Sequence, residues 1–490
     1  MATRQYIGAR YVPKFFEGVG GSNDWVQGIT YEPLTVVTYS GTIYTSKKPV
    51  PATVGSPNLN LDYWVVTGQS IPDVTHIMEE LAKLDGDIEV LQQFKSCIGV
   101  TPEMFGAVGN GVDDDTDAVV AAITYANAYN LPVILSKKYL VNDTITMPSE
   151  TSIISINPKE NPPTIIAGDE VELLFDCGGV RNGFSNIRVT TVGDSYRDDL
   201  TLFRLSGNSS GNADHEFYNV EIRYANTGVL VKGRNIKFEN CNFSHCRYGL
   251  EINGADFTQL RGIVVHDCRF HGIGEDVILV GGVSTEILTT NNCAGILLDC
   301  ARNSGAYTEE ADVMITCCLS DRGGTFVKGK AHNCKISDCM IIHYEKPGIV
   351  LVNDNDNPVA ITGGSIEVTN NRFFGNSGTD SQGISHEYPN YSISIEHYTR
   401  VIVSGNTFSR SYTPFKLDNA ADISIVGNTL AHIAGSAADR KMIYGDDLRI
   451  NVVGNSYVGA AGSIDMFRNE PTTAGVTHDA NARITYNLSD

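Results

Sequence analysis

The feature that most constrains this chain is a short unit that recurs from about residue 219 onward. A turn residue, usually Asn, is followed within two positions by an apolar strand residue. It stands at Asn219-Val220, Asn242-Phe243, Cys268-Arg269-Phe270, Cys339-Met340-Ile341, Asn371-Arg372-Phe373, Asn406-Thr407-Phe408, Asn428-Thr429-Leu430 and Asn455-Ser456-Tyr457. Neighbouring copies lie mostly about 22 to 35 residues apart, the range expected of coils with connections of unequal length. Asn tolerates the left-handed backbone conformation and bonds its own main chain, and in stacked coils successive Asn side chains can form a ladder. The pattern predicts a mainly β chain wound as a solenoid; a sandwich of short strands is the alternative that irregular spacing leaves open.

The segment before the repeat, TPEMFGAVGNGVDDDT at 101–116, predicts how such a stack begins. Gly106, Gly109 and Gly111 permit turns, and Asp113, Asp114 and Asp115 can cap the N–H groups of the helix that follows. That helix has an apolar face at Val119, Ala122, Ile123 and Ala126. Two strands are expected next, at Pro132–Leu135 and Tyr139–Val141. A coil stack ends in unpaired backbone and exposed apolar side chains, so an amphipathic helix across the end serves as a lid. The string FGAVGNGVDDDT, with its helix and strands, resembles the start of the pectate-lyase-like domain shared by phage tailspikes and polygalacturonase-type enzymes. That resemblance implies a right-handed parallel β-helix with an N-terminal capping helix, and leaves the chemistry open.

Charge and cysteine usage narrow the field. With 57 acidic against 36 basic residues the net charge is −21, so no electrostatic footprint for nucleic acid or anionic lipid is present. Eleven cysteines without CxxC pairs favour buried reduced thiols over a disulfide framework or a zinc site. MATRQYIGARYVPKFF has no apolar signal core, and no stretch reaches the length of a membrane span. A soluble protein assembled in a reducing cytoplasm is expected, with no cofactor and no metal.

Three zones precede or close the solenoid. Residues 1–69 hold both tryptophans and many tyrosines; Trp25, Tyr31, Val36, Tyr39, Gly41, Tyr44 and Ser46, with Tyr63-Trp64, form a spaced aromatic pattern. This pattern resembles small chitin-binding-type modules, some of which open tail proteins of phages. It implies Trp25, Tyr31, Tyr39, Tyr44 and Trp64 as rings on which sugars stack; the same rings can equally be the core of a small β module, or the module can dock onto a virion. Between residues 70 and 99, Val74, Ile77, Leu81, Leu84, Ile88, Leu91 and Ile98 alternate spacings of three and four, which predicts a short coiled-coil connector. The β-helix is expected over 100–457 and a terminal cap over 458–490.

Within the solenoid, HDCRFHGIGEDVILVGG gathers Asp267, His271, Glu275 and Asp276, flanked by Asp256 and Asp299. Adjacent coils lie about 4.8 Å apart, so Asp256, Asp276 and Asp299 could form a carboxylate row with Glu275 beside it. Polygalacturonase-like hydrolases build their sites in this manner, and by that resemblance these four are candidate catalytic residues. Acids at turns that merely cap backbone are the other reading. Asp354 and Asp356 could ligand a Ca²⁺ or shape an Asx-rich loop, and His343, Tyr344 and Glu345 form a further cluster of unassigned role. Neither a phosphate-binding Gly loop nor GxSxG is present.

Aromatic module, heptad helix and capped β-helix occur in this order in phage tailspike and tail-fibre proteins. The resemblance implies a homotrimeric virion tail appendage that joins other tail proteins through its N-terminal region and binds host surface polysaccharide. A polysaccharide depolymerase on the same trimer, hydrolase or lyase, is the second reading, and a free secreted pectinolytic enzyme the third.

Overall fold

The computed structural model describes residues 14–15, 25–40, 42–67, 99–155, 162–207, 211–253, 262–273, 279–280, 283–284, 293–299, 312–330, 333–344, 346–352, 365–375, 378–379, 385–386, 391–410, 413–418, 421–431, 441–444, 450–458, 465–468, 483–485 and 488–489. The heptad segment expected over 70–99 lies outside them except for its last residue. The chain divides into two units, one holding residues 1–108 and 117–134, the other 109–116 and 135–490.

In the first unit, Thr35–Tyr39 pairs antiparallel with Thr42–Ser46, which pairs with Trp64–Val66. Alternation along these strands sends Val37 and Tyr44 inward to meet Tyr31, Val50 and Trp64. Tyr31 meets Trp64 edge-on at 5.2 Å, and its hydroxyl donates to the Val26 carbonyl at 2.8 Å. Trp64 is fully buried, whereas Trp25 lies half-buried, edge-on to Tyr39 at 5.4 Å. Because these are the chain's two tryptophans, fluorescence separates them. In Trp25→Phe the remaining emission is expected to be blue-shifted and shielded from acrylamide, and quenching as strong as in the parent would contradict this core. The helix α1, Thr116–Tyr129, buries Val119, Ala122, Ile123 and Ala126, the face expected from its periodicity.

The second unit winds into three long parallel sheets. Sheet 1 has fourteen strands, from Asn110–Asp114 to Leu488–Ser489, and sheet 2 has twelve, from Ile145–Thr146 to Asp465–Arg468. Sheet 3 runs from Ser152–Ile154 to Arg483–Thr485. Each coil passes through sheets 3, 1 and 2 in turn. One coil is Ile263–His266, Arg269–Ile273 and Ala294–Asp299; the next, Asp312–Thr316, Leu319–Gly323 and Thr325–Lys330, pairs with it parallel and in register. This is a right-handed parallel β-helix. Its last rungs lie beyond residue 457, the boundary expected from the repeat.

Register turns the period-two pattern into columns. Phe175, Phe184, Phe203, Phe217, Phe238, Phe243 and Phe270 all point inward, fully buried, with neighbouring centroids such as Phe175–Phe203, Phe184–Phe217 and Phe243–Phe270 each 4.9 Å apart. Such contacts add about 0.5–1.5 kcal/mol per pair beyond burial.

From strand Gly183–Ser185 onward, the turn from sheet 3 to sheet 1 takes two residues and carries two distinct columns. The outer one holds the left-handed conformation at Asn186, Asn219, Asn240, Asp267, Cys317, Asp338 and Asn370, then at Gly405, Gly427 and Gly454. The inner one is buried: Val220, Cys241, Cys268, Cys318, Cys339, Asn371, Asn406, Asn428 and Asn455. The expected ladder therefore exists, but Asn219 belongs to the outer column and Asn242 begins a strand outside both. Four thiols occupy the inner column where apolar fit suffices, each donating to the carbonyl two residues back, at 3.2–3.4 Å. Eight of the nine described cysteines are buried free thiols, and Cys317 is exposed.

Asp113, Asp114 and Asp115 have separate tasks. Asp114 accepts from the Thr116 N–H at 3.0 Å and from its hydroxyl at 2.5 Å at the entry to α1. Buried Asp115 instead accepts from the Gly109 N–H at 3.1 Å. Asp113 accepts from the Asn110 amide at 2.9 Å. All three are engaged as structural acceptors.

Candidate functional site

The turn from sheet 1 to sheet 2 obeys different rules. Where the opposite corner uses Asn, Asp, Gly and once Cys317 for the left-handed conformation, this one holds Tyr224 at φ 63° and His245 at φ 55°, and His343 takes φ 54° at a register shift near the end of strand Met340–Tyr344. A Tyr is disfavoured there, by about 1 kcal/mol or more, whereas His adopts this conformation more readily than most residues.

On successive coils these residues form a continuous row. The Tyr224 and His245 rings stack, centroids 5.0 Å apart and 11° from parallel. His245 meets His271 edge-on at 5.8 Å. Beyond it, Asp321 lies in register with His271; its carboxylate is 3.5 Å from His271 Nδ1, 2.9 Å from His343 Nδ1 and 3.4 Å from an Arg269 Nη. Burial alone would raise the Asp321 pKa, but the His343 hydrogen bond and the charges of His271, His343 and Arg269 outweigh it and hold the carboxyl below its ordinary value. Burial, helped by His271, depresses the His245 pKa, so this imidazole is neutral at neutral pH.

The row thus presents one aromatic ring, three imidazoles and one fixed anion across consecutive coils. Among the described residues it does not present the carboxyl pair of a glycosidase. Asp194 and Glu221, on the same side of earlier coils, lie three to four coils from Asp321, about 14–19 Å at 4.8 Å per coil, against the about 5–9.5 Å such a pair needs. Among the described residues no cluster suits a metal ion, and no described helix is long and apolar enough to cross a membrane.

Of the candidate acids, Asp256, Glu275 and Asp276 lie outside the described residues. Asp299 ends its sheet 2 strand, in register with Asn253 on one side and Lys330 on the other. Strands Arg269–Ile273 and Ala294–Asp299 belong to one coil, and Glu275 and Asp276 stand between them in sequence. Of the candidate sugar-stacking rings, Tyr31, Tyr44 and Trp64 are buried in the module's core, while Trp25 and Tyr39 keep partial exposure. His271 and His343 stand out in the sequence by local density; Asp321, which joins them, has no local signal.

Residues 205–429 match the family model described as a right handed beta helix region. The chain carries a right-handed β-helix domain. Over 194 residues the chain is 27% identical to a capsule K30/K69-specific depolymerase of Klebsiella phage K64-1, covering 40% of this chain and 24% of that protein. Over 214 residues it is 26% identical to the pre-neck appendage protein of Bacillus phage B103, covering 42% and 24% respectively. Each match spans about a quarter of the relative's length. Among solved structures, the pre-mature gene product 12 of bacteriophage phi29 shares the fold, with a TM-score of 0.51, 17% identity, and coverage of 84% of this chain and 60% of that one.

Proposed function

We propose that this β-helix is part of a bacteriophage virion tail appendage that binds a host-surface glycan along the corner between sheets 1 and 2. The observation that carries the reading is the row Tyr224, His245, His271, Asp321 and His343, held in contact on consecutive coils. Rings supply apolar faces for sugar C–H surfaces, and the imidazoles and carboxylate supply donors and acceptors for hydroxyls. That both curated relatives are phage proteins supports a place on the virion. The working form in this reading is a homotrimer, joined side by side through the 70–99 segment and attached to other tail proteins through the N-terminal module. Light scattering should give three chains per particle, and immobilised host envelope polysaccharide should retain the protein. A monomer sinks the trimer; failure to bind any host glycan sinks the function.

A second reading makes the same row catalytic, because His343 held by Asp321 is an imidazole of fixed orientation, as a general base requires. Release of reducing ends or unsaturated uronates from bound glycan, abolished in His343→Gln, supports cleavage. Binding without release leaves the appendage as an adhesin.

A further inference from the structure

We infer that the row carries, at Ser244, a pit that receives the hydroxyl edge of one uncharged sugar unit of the bound glycan. The inference rests on the glycan reading above and adds the class of sugar met at one point of the row. Arg223, Ser244 and His271 stand side by side, in register, on three successive strands of sheet 1. Ile222, Phe243 and Phe270, the residues before them, are buried in the core, so these three face outward. Serine is the short side chain between two long ones and forms the floor of a depression, whose walls are about 9–10 Å apart at two coil spacings. The Tyr224 N–H donates to the Ser244 carbonyl at 3.2 Å and the His245 N–H to the His271 carbonyl at 3.1 Å, which seats the stacked Tyr224 and His245 rings at its rim.

Unfilled hydrogen-bonding capacity marks the depression as a site. Ser244 faces outward yet is only 3% exposed, and its Oγ makes no hydrogen bond among the described residues. Beside it, Arg223 Nε and His245 Nδ1 are likewise buried without a partner, as are Tyr196 Oη and Asn226 Oδ1 on the sheet 2 side of the corner. Arg197 ties that side to the rim: its N–H donates to the Tyr224 carbonyl at 3.0 Å, and it lies in register with Ala225. Buried polar atoms cost stability when left unpaired, so five at one corner mark a place that a ligand completes. The set is mixed. Arg223 Nε only donates, Asn226 Oδ1 only accepts, the two hydroxyls do both, and His245 Nδ1 does either according to its tautomer. A sugar hydroxyl, donor and acceptor at once, can answer all of them, whereas a carboxylate or phosphate only accepts and leaves Asn226 Oδ1 unpaired. Charge points the same way. Arg223 is already paired with Glu221, which also holds Arg188 at 2.5 Å, and exposed Asp194 and Asp198 flank Tyr196 in the chain. Entry of the sugar requires the Tyr224 or His245 ring to swing outward, and both are half-buried rather than locked in the core.

The test presents the full chain with an array of bacterial polysaccharides: some built wholly from neutral hexoses and N-acetylhexosamines, some wholly from uronates or phosphorylated residues, and some from both. Capture is expected of polymers that contain neutral residues. Against the polymer held most tightly, S244A should bind about three- to tenfold more weakly, and S244V, whose methyl groups fill the depression, more weakly still. S244A should also keep or raise the urea midpoint, because it removes a hydroxyl that has no partner. Capture of fully charged polymers alone, or S244A binding as the parent does, overturns the pit, whose atoms then hold ordered water only, and leaves the glycan reading standing. A lowered midpoint in S244A overturns it too, since the hydroxyl would then be bonded in the free protein. Capture of no polymer overturns the glycan reading and the pit with it. Should S244V lose its fold by circular dichroism, S244A alone decides.

Discussion

Asn406→Leu is expected to destabilise the β-helix by about 3–5 kcal/mol, although leucine nearly matches asparagine in shape. Asn406 is fully buried. Its Oδ1 accepts from the Asn371 N–H at 2.9 Å and the Asn371 amide at 3.0 Å; its own amide donates to the Val368 carbonyl at 2.8 Å and to Asn428 Oδ1 at 3.0 Å. Leucine breaks all four. The Asn371 N–H and the Val368 carbonyl then stay buried without these partners, and each such group costs about 1–3 kcal/mol. Burial of leucine's apolar surface, worth about 1.5–3 kcal/mol, offsets only part of this, and the larger side chain must also be fitted into a close-packed column. The loss should appear as a lower urea midpoint at unchanged slope. A shift equivalent to less than about 1 kcal/mol would mean that the ladder is packing with incidental hydrogen bonds.

That ladder also explains what the sequence could reveal. From strand Gly183–Ser185 onward the turn from sheet 3 to sheet 1 has a constant length of two residues, so its outer left-handed position, its inner buried position and the first inward strand residue fall close together. Asn371-Arg372-Phe373 and Asn406-Thr407-Phe408 are therefore visible as local words. The corner from sheet 1 to sheet 2 has no such constancy. It takes three residues between Ser244 and Tyr248 but twenty between Ile273 and Ala294. His245, His271, Asp321 and His343 accordingly stand at unequal intervals, and only the register of the sheets joins them. In the N-terminal module the limit is different: Trp25 and Trp64 belong to one aromatic pattern, and only packing determines that one ring is buried and the other half-exposed.

Asp321→Asn is expected to weaken glycan binding about tenfold while costing only about 1–2 kcal/mol of stability at neutral pH. The carboxylate lies between His271 and His343 on the two adjoining coils: it is hydrogen-bonded to His343 Nδ1 at 2.9 Å, and faces His271 Nδ1 at 3.5 Å and Arg269 at 3.4 Å as charge partners. An amide is neutral, so it cannot hold His343 and attract His271 and Arg269 in the same way. Acid titration provides an independent check. Because the folded-state pKa of Asp321 lies below its unfolded value, its contribution is fully present above the unfolded pKa, near 4, and is lost as pH falls through the folded value. The parent should therefore lose more stability than the variant as pH drops below about 4, whereas the difference between them should be constant from pH 5 upward as far as Asp321 is concerned. Weaker binding at pH 7 together with this acid limb assigns Asp321 to positioning the imidazoles. Unchanged binding with the acid limb intact would make the carboxylate a clamp between coils and move the glycan elsewhere on the solenoid.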